Sequence, residues 1–279
     1  GAGNEAGNGT EDDAPAAPRA DRRGIQSVEV GGSLLQALVR QGAPMMLKDL
    51  AAAAGMPAAK AHPYLVSFGK LGLIEQDPAS GRYGLGPFAL QMGLTALHAL
   101  DPLKAAMAEV ARFTDEIQLN VAISVWGNQG PTVVHIEESN RQIHVNMRPG
   151  TVMTPLLESA TGRCFAAFLP ERIVGPLVAD ELARIVVADR PASPAAEREV
   201  AALLDEVRYH HLARALGQPI PGINAFSAPV FNHSGQISLA LTAMGPAGSF
   251  DTDWDGDTAR RVKACAEAIG HRLGNPRPA

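Results

Sequence analysis

The residues best placed to do chemistry lie in Met147-Arg148-Pro149-Gly150-Thr151-Val152-Met153-Thr154-Pro155-Leu156-Leu157-Glu158-Ser159-Ala160-Thr161-Gly162-Arg163-Cys164. Ser159 is a natural helix N-cap, and the small Ala160 and Gly162 leave first-turn N–H groups open to an incoming group. Unpaired donors at the positive end of a helix favour an anion, so a carboxylate-bearing metabolite suits the place. A loop that merely starts a helix is the other reading. Catalytic and metal readings are weaker. No Gly-x-Ser-x-Gly elbow or phosphate-cradling glycine loop is present, and Ser159 has no base beside it in sequence. His210 and His211 are neighbours that point apart on a strand. His135 and Glu137 share a strand face but make only a two-residue pair. Asp251-Thr252-Asp253-Trp254-Asp255-Gly256-Asp257 imitates a calcium loop, yet position 12 is Val262 rather than glutamate. No metal and no cofactor are expected. Cys164, close to a helix N-terminus, has the setting of a redox-sensing thiol.

A second set of chemistry-bearing residues needs an element to present it. Met46 to Gly86 reads as a short helix, a turn at Gly55, a second helix beginning near Pro57, and a two-stranded tip closed by Asp77-Pro78-Ala79-Ser80-Gly81. That is the pattern of a winged helix-turn-helix. Leu47, Leu50, Ala51 and Ala54 form the apolar stripe of the first helix. In the second, Ala61, Leu65 and Phe68 face inward, while Lys60, Pro63, Tyr64 and Ser67 are expected to face outward. A row carrying a cation, a phenol and a hydroxyl can reach phosphates and base edges. Lys60, His62, Tyr64, Ser67, Lys70 and, in the wing, Arg82 are the expected contacts to double-stranded DNA.

Charge agrees only weakly. Residues 1–23, 24–100 and 101–279 carry −2, +1 and −4 within a chain of net charge −5. A region at +1 is a faint footprint for DNA, so tight binding calls for two copies acting together. No stretch approaches the roughly 20 apolar residues of a membrane helix, and no basic segment followed by an apolar run opens the chain as an export signal. A cytoplasmic protein with reduced, buried Cys164 and Cys265 is expected.

The elements beyond the wing are also legible. Residues 1–23, rich in Gly, Ala, Pro and acidic side chains, read as a disordered tail. Gln26 to Arg40 reads as the first helix of a domain spanning 24–87. Phe88, Leu90, Met92, Leu94, Ala96 and Leu97 make a linker helix, 88–100, that is apolar nearly all round and calls for burial, here against a second subunit. The remainder, 101–279, opens with a helix from Asp101-Pro102. Strands are expected at 119–125, 132–136, 143–147, 211–216, 222–231 and 236–243. Helices are expected at 159–169, in two short pieces over 170–187, from 193 to 208 and from 254 to 272. Hairpin-length links suggest an α+β domain with an antiparallel sheet.

Taken together, Leu47-Lys48-Asp49-Leu50-Ala51, Gly72-Leu73-Ile74-Glu75, Gly81-Arg82-Tyr83-Gly84-Leu85-Gly86, Arg148-Pro149-Gly150, Ser159-Ala160-Thr161-Gly162-Arg163 and Gly222-Ile223-Asn224-Ala225-Phe226-Ser227-Ala228-Pro229-Val230-Phe231 resemble, in order and spacing, the isocitrate lyase regulator (IclR) family of bacterial transcriptional regulators. The match covers roughly residues 24–273. The resemblance implies a GAF-like effector domain joined by the linker helix to the winged helix, in a homodimer or a tetramer of dimers. It places a small organic effector between the sheet and the loop before the Ser-Ala-x-Gly helix. Ser159, Ala160, Thr161 and Gly162 would bring backbone donors, Asn224 and Ser227 would lie on the facing strand, and Thr242 on the next. Met147, Met153, Leu157 and Phe226 would be apolar walls. Two departures stand out. Pro63 replaces a common arginine and should kink the recognition helix by removing the bond to Ala59, and Glu158 replaces a frequent histidine.

The expectation is a regulator, not an enzyme, whose operator binding answers to a small effector such as a carboxylic or aromatic acid. The competing readings are a small-molecule enzyme or carrier with an N-terminal dimerisation module, and a regulator controlled by oxidation of Cys164.

Overall fold

The computed structural model describes residues 23–141, 145–187 and 194–276, and the chain divides into two compact units, 1–98 and 99–279. The first unit contains α1 (Gln26–Gln41), α2 (Leu47–Ala53), α3 (Ala58–Leu71), β1 (Ile74–Gln76), β2 (Tyr83–Leu85) and α4 (Pro87–His98). Leu34, Ala37 and Leu38 of α1, Leu50 and Ala51 of α2, and Ala61 and Leu65 of α3 bury one face each and close a core with Ile74 and Tyr83. That is the i, i+3, i+4 spacing acting in three helices at once. The wing pairs Ile74 with Leu85 and Gln76 with Tyr83. Met45 adds a rung, exchanging backbone bonds of 2.9 and 2.7 Å with Tyr83.

α3 runs through Pro63 without interruption. Pro63 and Ala59, whose carbonyl loses its partner, both face solvent, so water replaces the missing backbone bond. The tail reading, residues 1–23, falls outside the described residues except for Arg23.

The second unit contains α5 (Pro102–Ile117), β3 (Asn120–Gly127), β4 (Gly130–Glu137), α6 (Ala160–Phe168), α7 (Glu171–Val187), α8 (Pro194–His210), β5 (Ala213–Leu216), β6 (Ile223–Phe231), β7 (Ile237–Pro246) and α9 (Asp257–Arg272). The five strands pair antiparallel in the order β4-β3-β7-β6-β5. Side chains alternate across the sheet. Val121, Ile123, Phe226, Ala228, Leu239, Leu241 and Ala243 form a core with Val110 and Phe113 of α5 and with Val262, Ala266 and Ile269 of α9. The other face carries α6: Ala240, Ala213 and Ala215 pack with Leu156, Cys164, Phe165, Val174 and Val207. Ala122, Val133 and Met244 pack there with Met153.

Three expectations change. The stretch 170–187 is one helix, α7, not two, with Pro176 inside it; Pro176 and Arg172 four residues earlier are exposed, so the freed carbonyl is hydrated. Val145–Met147 forms no strand, and residues 142–144 lie outside the described residues. β5 begins at Ala213 rather than 211, because His211 adopts φ 50° at the end of α8.

Candidate DNA-contact helix and effector site

α3 turns Lys60, His62, Ser67 and Lys70 to solvent. Helical spacing puts Lys60, Pro63, Ser67 and Lys70 opposite the Ala61–Leu65 core face, with His62 on a flank. Tyr64, expected in the outward row, is half-buried against the domain core. A Cβ on Gly31 of α1 would come within 2.9 Å of the Tyr64 ring and 3.0 Å of Phe68, so α1 approaches closely through that glycine. In the wing, the Asp77 carboxylate accepts from Ser80 Oγ at 2.5 Å, Ser80 N at 3.0 Å and Ala79 N at 3.3 Å. These bonds, the Ser80 hydroxyl first, hold its pKa below the usual carboxylate value. The exposed Arg82 follows on the return strand, its Nη1 3.4 Å from the Pro44 carbonyl.

At the second site, Ser159 caps α6 by accepting from Gly162 N at 2.9 Å. That takes one of the expected open donors. Gly162 is small for a different reason: a Cβ there would overlap the Leu156 carbonyl, so the preceding turn presses onto the helix. Thr161 Oγ1 lies 2.7 Å from Thr242 Oγ1, which donates to Ser227 Oγ at 2.9 Å. All three are at most 4 % exposed. The hydroxyls thus satisfy one another beneath the start of α6. Ser124 points to the same sheet face, two positions along β3 from the Ala122–Thr242 pair, and its buried Oγ has no hydrogen-bond partner among the described residues.

Strand alternation separates two expected site residues, the polar Asn224 and the apolar Phe226, from Ser227. Ser227 pairs with Thr242 and faces α6, so Asn224 and Phe226, at odd separations from it, face the α9 side. Phe226 is fully buried 5.4 Å from Phe250 and 5.9 Å from Trp254. Asn224 uses Oδ1 to accept from Gly217 N at 3.0 Å. Met153 is buried, Met147 and Leu157 are half-buried and Ala160 is buried near α6, while Glu158 is exposed.

Glu181, absent from the sequence reading, and Arg163, read there only as part of a signature, fix the turn before α6. Glu181 of α7 accepts from the N–H groups of Leu156 and Leu157. Arg163 donates through Nε to the Leu157 carbonyl and through Nη1 to the Arg214 carbonyl, both at 2.6 Å. Burial lowers the Arg163 pKa, opposed by Glu206 and Glu158. Their partners lie up to 51 residues away in sequence, beyond any local pattern.

The Cys164 thiol is fully buried, and desolvation pushes its pKa up to about 12 against a hydrogen bond with Ser227. A thiol so protonated is a poor redox sensor. His135 Nε2 lies 3.0 Å from Glu137 Oε2. His210 stacks on Trp254 at 4.0 Å and His211 on Phe168 at 5.8 Å. Asp251 and Asp253 accept from the N–H groups of Asp253 and Asp255, both at 3.0 Å, while Val262 sits in the core. No metal-holding group of three or more His, Cys, Asp or Glu occurs among the described residues, and no helix there is long and apolar enough to cross a membrane.

Comparison with known proteins finds a family for both parts of the chain. The family model for the IclR helix-turn-helix domain matches residues 27–78, and that for the bacterial transcriptional regulator IclR C-terminal domain matches 94–271. The glycerol operon regulatory protein of Streptomyces griseus is 29% identical over 261 residues, covering 90% of this chain and 98% of that one. The regulator KipR of Bacillus subtilis is 26% identical over 82% of this chain and 90% of its own. Among solved structures, Pseudomonas aeruginosa HmgR superposes with a TM-score of 0.80 and 40% identity, covering 91% of this chain and all of that one. The Agobacterium tumefaciens repressor BlcR shares the fold at TM-score 0.69 and 17% identity, over 90% and 98% of the two chains. The chain belongs to the IclR family of bacterial DNA-binding transcriptional regulators, which are not enzymes.

Proposed function

We propose that this regulator binds a palindromic operator as a dimer, or as a tetramer of dimers, and that a small organic effector held against the α6 face of the sheet sets its affinity. The observation that carries the DNA half is the α3 surface, where Lys60, Ser67 and Lys70 share the solvent face of a helix whose other side closes the core. Pro63 removes a side chain able to read a base from the middle of that face, so phosphate contacts by the lysines, with Arg82 from the wing, carry more of the affinity. His62 and Tyr64 flank the row.

Dimerisation is supported by α4. Its twelve residues bury none of their number, and Phe88, Leu90, Met92, Leu94 and Leu97 are 43–65% exposed. A helix with so much apolar surface and no acid or lysine needs cover, and a second copy of the same helix supplies it.

The sensory half is supported by the buried hydroxyls of Thr161, Thr242 and Ser227 and the unpartnered Ser124, bordered by the apolar Met153, Met147, Val133 and Met244. With three of these hydroxyls paired to one another, Ser124 is the one of the four left to meet a ligand, and a hydroxyl beside apolar side chains suits a small acid, aromatic or aliphatic. The thiol-redox reading loses its basis with the burial of Cys164. Selection of DNA fragments by the full chain tests the function: specific retention of a two-fold symmetric site, weakening steeply with salt, is expected. Uniform binding of unrelated fragments would refute it.

A further inference from the structure

The turn that precedes α6 holds a carboxylate of the same chain. Glu181 Oε1 accepts from Leu156 N–H, and its Oε2 accepts from Leu157 N–H at 3.1 Å. Two consecutive N–H groups converging on one anionic group form a backbone nest. The nest is fixed from the opposite side. Arg163 Nε holds the Leu157 carbonyl at 2.6 Å, the Leu156 carbonyl bears on Gly162, and the Leu156 side chain is fully buried. The carboxylate that fills it sits at the edge of the core: Glu181 is half-buried, Leu177 and Val178 one turn earlier pack on the core, and Ala179, Asp180, Ala183 and Arg184 are exposed. Withdrawing Glu181 therefore uncovers little apolar surface, whereas the N–H pair stays in place.

We propose that the Leu156–Leu157 N–H pair is a carboxylate-binding site that Glu181 fills in the ligand-free protein, and that a ligand carboxylate enters by displacing Glu181 and so releases α7 from the turn. The proposal rests on the reading of residues 99–279 as a sensor and supplies its regulation. Exchange, rather than addition, follows from charge: a second carboxylate beside Glu181 is repelled, with Glu158 and Glu206 close enough to act on Arg163. A one-for-one exchange keeps both N–H donors paired and returns Glu181 to water.

Formate is the smallest probe of the nest. Thermal unfolding of the full chain is followed for wild type and Glu181→Ala in sodium formate, in sodium chloride of equal ionic strength, and in neutral formamide. Ligand binding raises the midpoint by mass action. Formate is expected to raise that of Glu181→Ala saturably, with half-saturation at least tenfold below that of wild type, whose own carboxylate must leave first; formamide is expected to do nothing. An equal response of the two proteins to formate would overturn the proposal. Should Glu181→Ala fail to fold, the isosteric Glu181→Gln is read instead, since its amide turns an NH2 toward one donor and leaves it to formate. A response to formate no greater than wild type's would again overturn the proposal. No DNA enters the measurement, so failure of operator binding and failure of the carboxylate site are separate results.

Discussion

Replacing Thr242 with valine preserves side-chain volume and deletes only the hydroxyl at the centre of the Thr161–Thr242–Ser227 chain. That oxygen sits 2.7 Å from Thr161 Oγ1 and 2.9 Å from Ser227 Oγ, at a residue only 4% exposed. Ser227 retains the Cys164 thiol as a partner, but Thr161, 2% exposed, has no bulk water to turn to. A buried hydroxyl left without its partner costs about 1–3 kcal/mol, so Thr242→Val is expected to cost about 2 kcal/mol. For a unit of this size that is a fall of roughly 4–8 °C in melting temperature. Thr161→Val should cost about as much on the same grounds. The double variant should fall short of the sum by about 1 kcal/mol, because the second substitution removes a group the first had orphaned. Both tryptophans, Trp126 and Trp254, lie in residues 99–279, so denaturant unfolding followed by their fluorescence reads that unit. Neutrality of Thr242→Val, or full additivity of the pair, would refute the coupled-hydroxyl account.

Lys60→Ala and Lys70→Ala are each expected to lower the slope of log affinity against log salt by about 1, leaving sequence preference unchanged; an unaltered slope would remove that lysine from the DNA interface. Phe226→Ala should destabilise by about 3–5 kcal/mol in denaturant titration, since its ring is fully buried on the α9 side. Ligand contacts on the α6 face would survive it. The thiols of Cys164 and Cys265 are both raised to about 12 by burial. The native state therefore keeps their protons where the unfolded chain loses them. Stability from this source is complete below about pH 8.5 and is lost as pH rises toward the folded values; the Cys164→Ser/Cys265→Ser variant should lose much of that alkaline slope.

The winged helix was legible because its features are local. The Leu47–Ala54 stripe, the Pro57 helix start and the hairpin closed by Asp77–Gly81 are each specified within a few residues. Most helix and strand positions in the second unit were approachable for the same reason, but the order of the strands was not, since β3 pairs with β7 from the far end of the unit. The helices continue through both internal prolines, for Pro63 and Pro176 sit on exposed faces where water can take the place of the lost backbone bond. The effector site was half legible. Ser159 to Gly162 announce a helix start, but choosing Asn224 and Phe226 with Ser227 as one wall breaks the two-residue alternation of a strand. Tyr64 shows the same limit in a helix, for its inward lean depends on Gly31 of another element. Glu181, and the contacts that Arg163 makes, were out of reach, because their partners are brought together only by tertiary packing.

The central claim is that one small molecule and one operator report on each other through a single chain. Operator affinity of the full chain, measured with and without a small acid that raises the melting temperature of the protein, tests it most directly. The account predicts a shift in operator affinity by some factor, and the same factor in the acid's affinity when operator is bound. An acid that binds tightly while leaving operator affinity unchanged would contradict it.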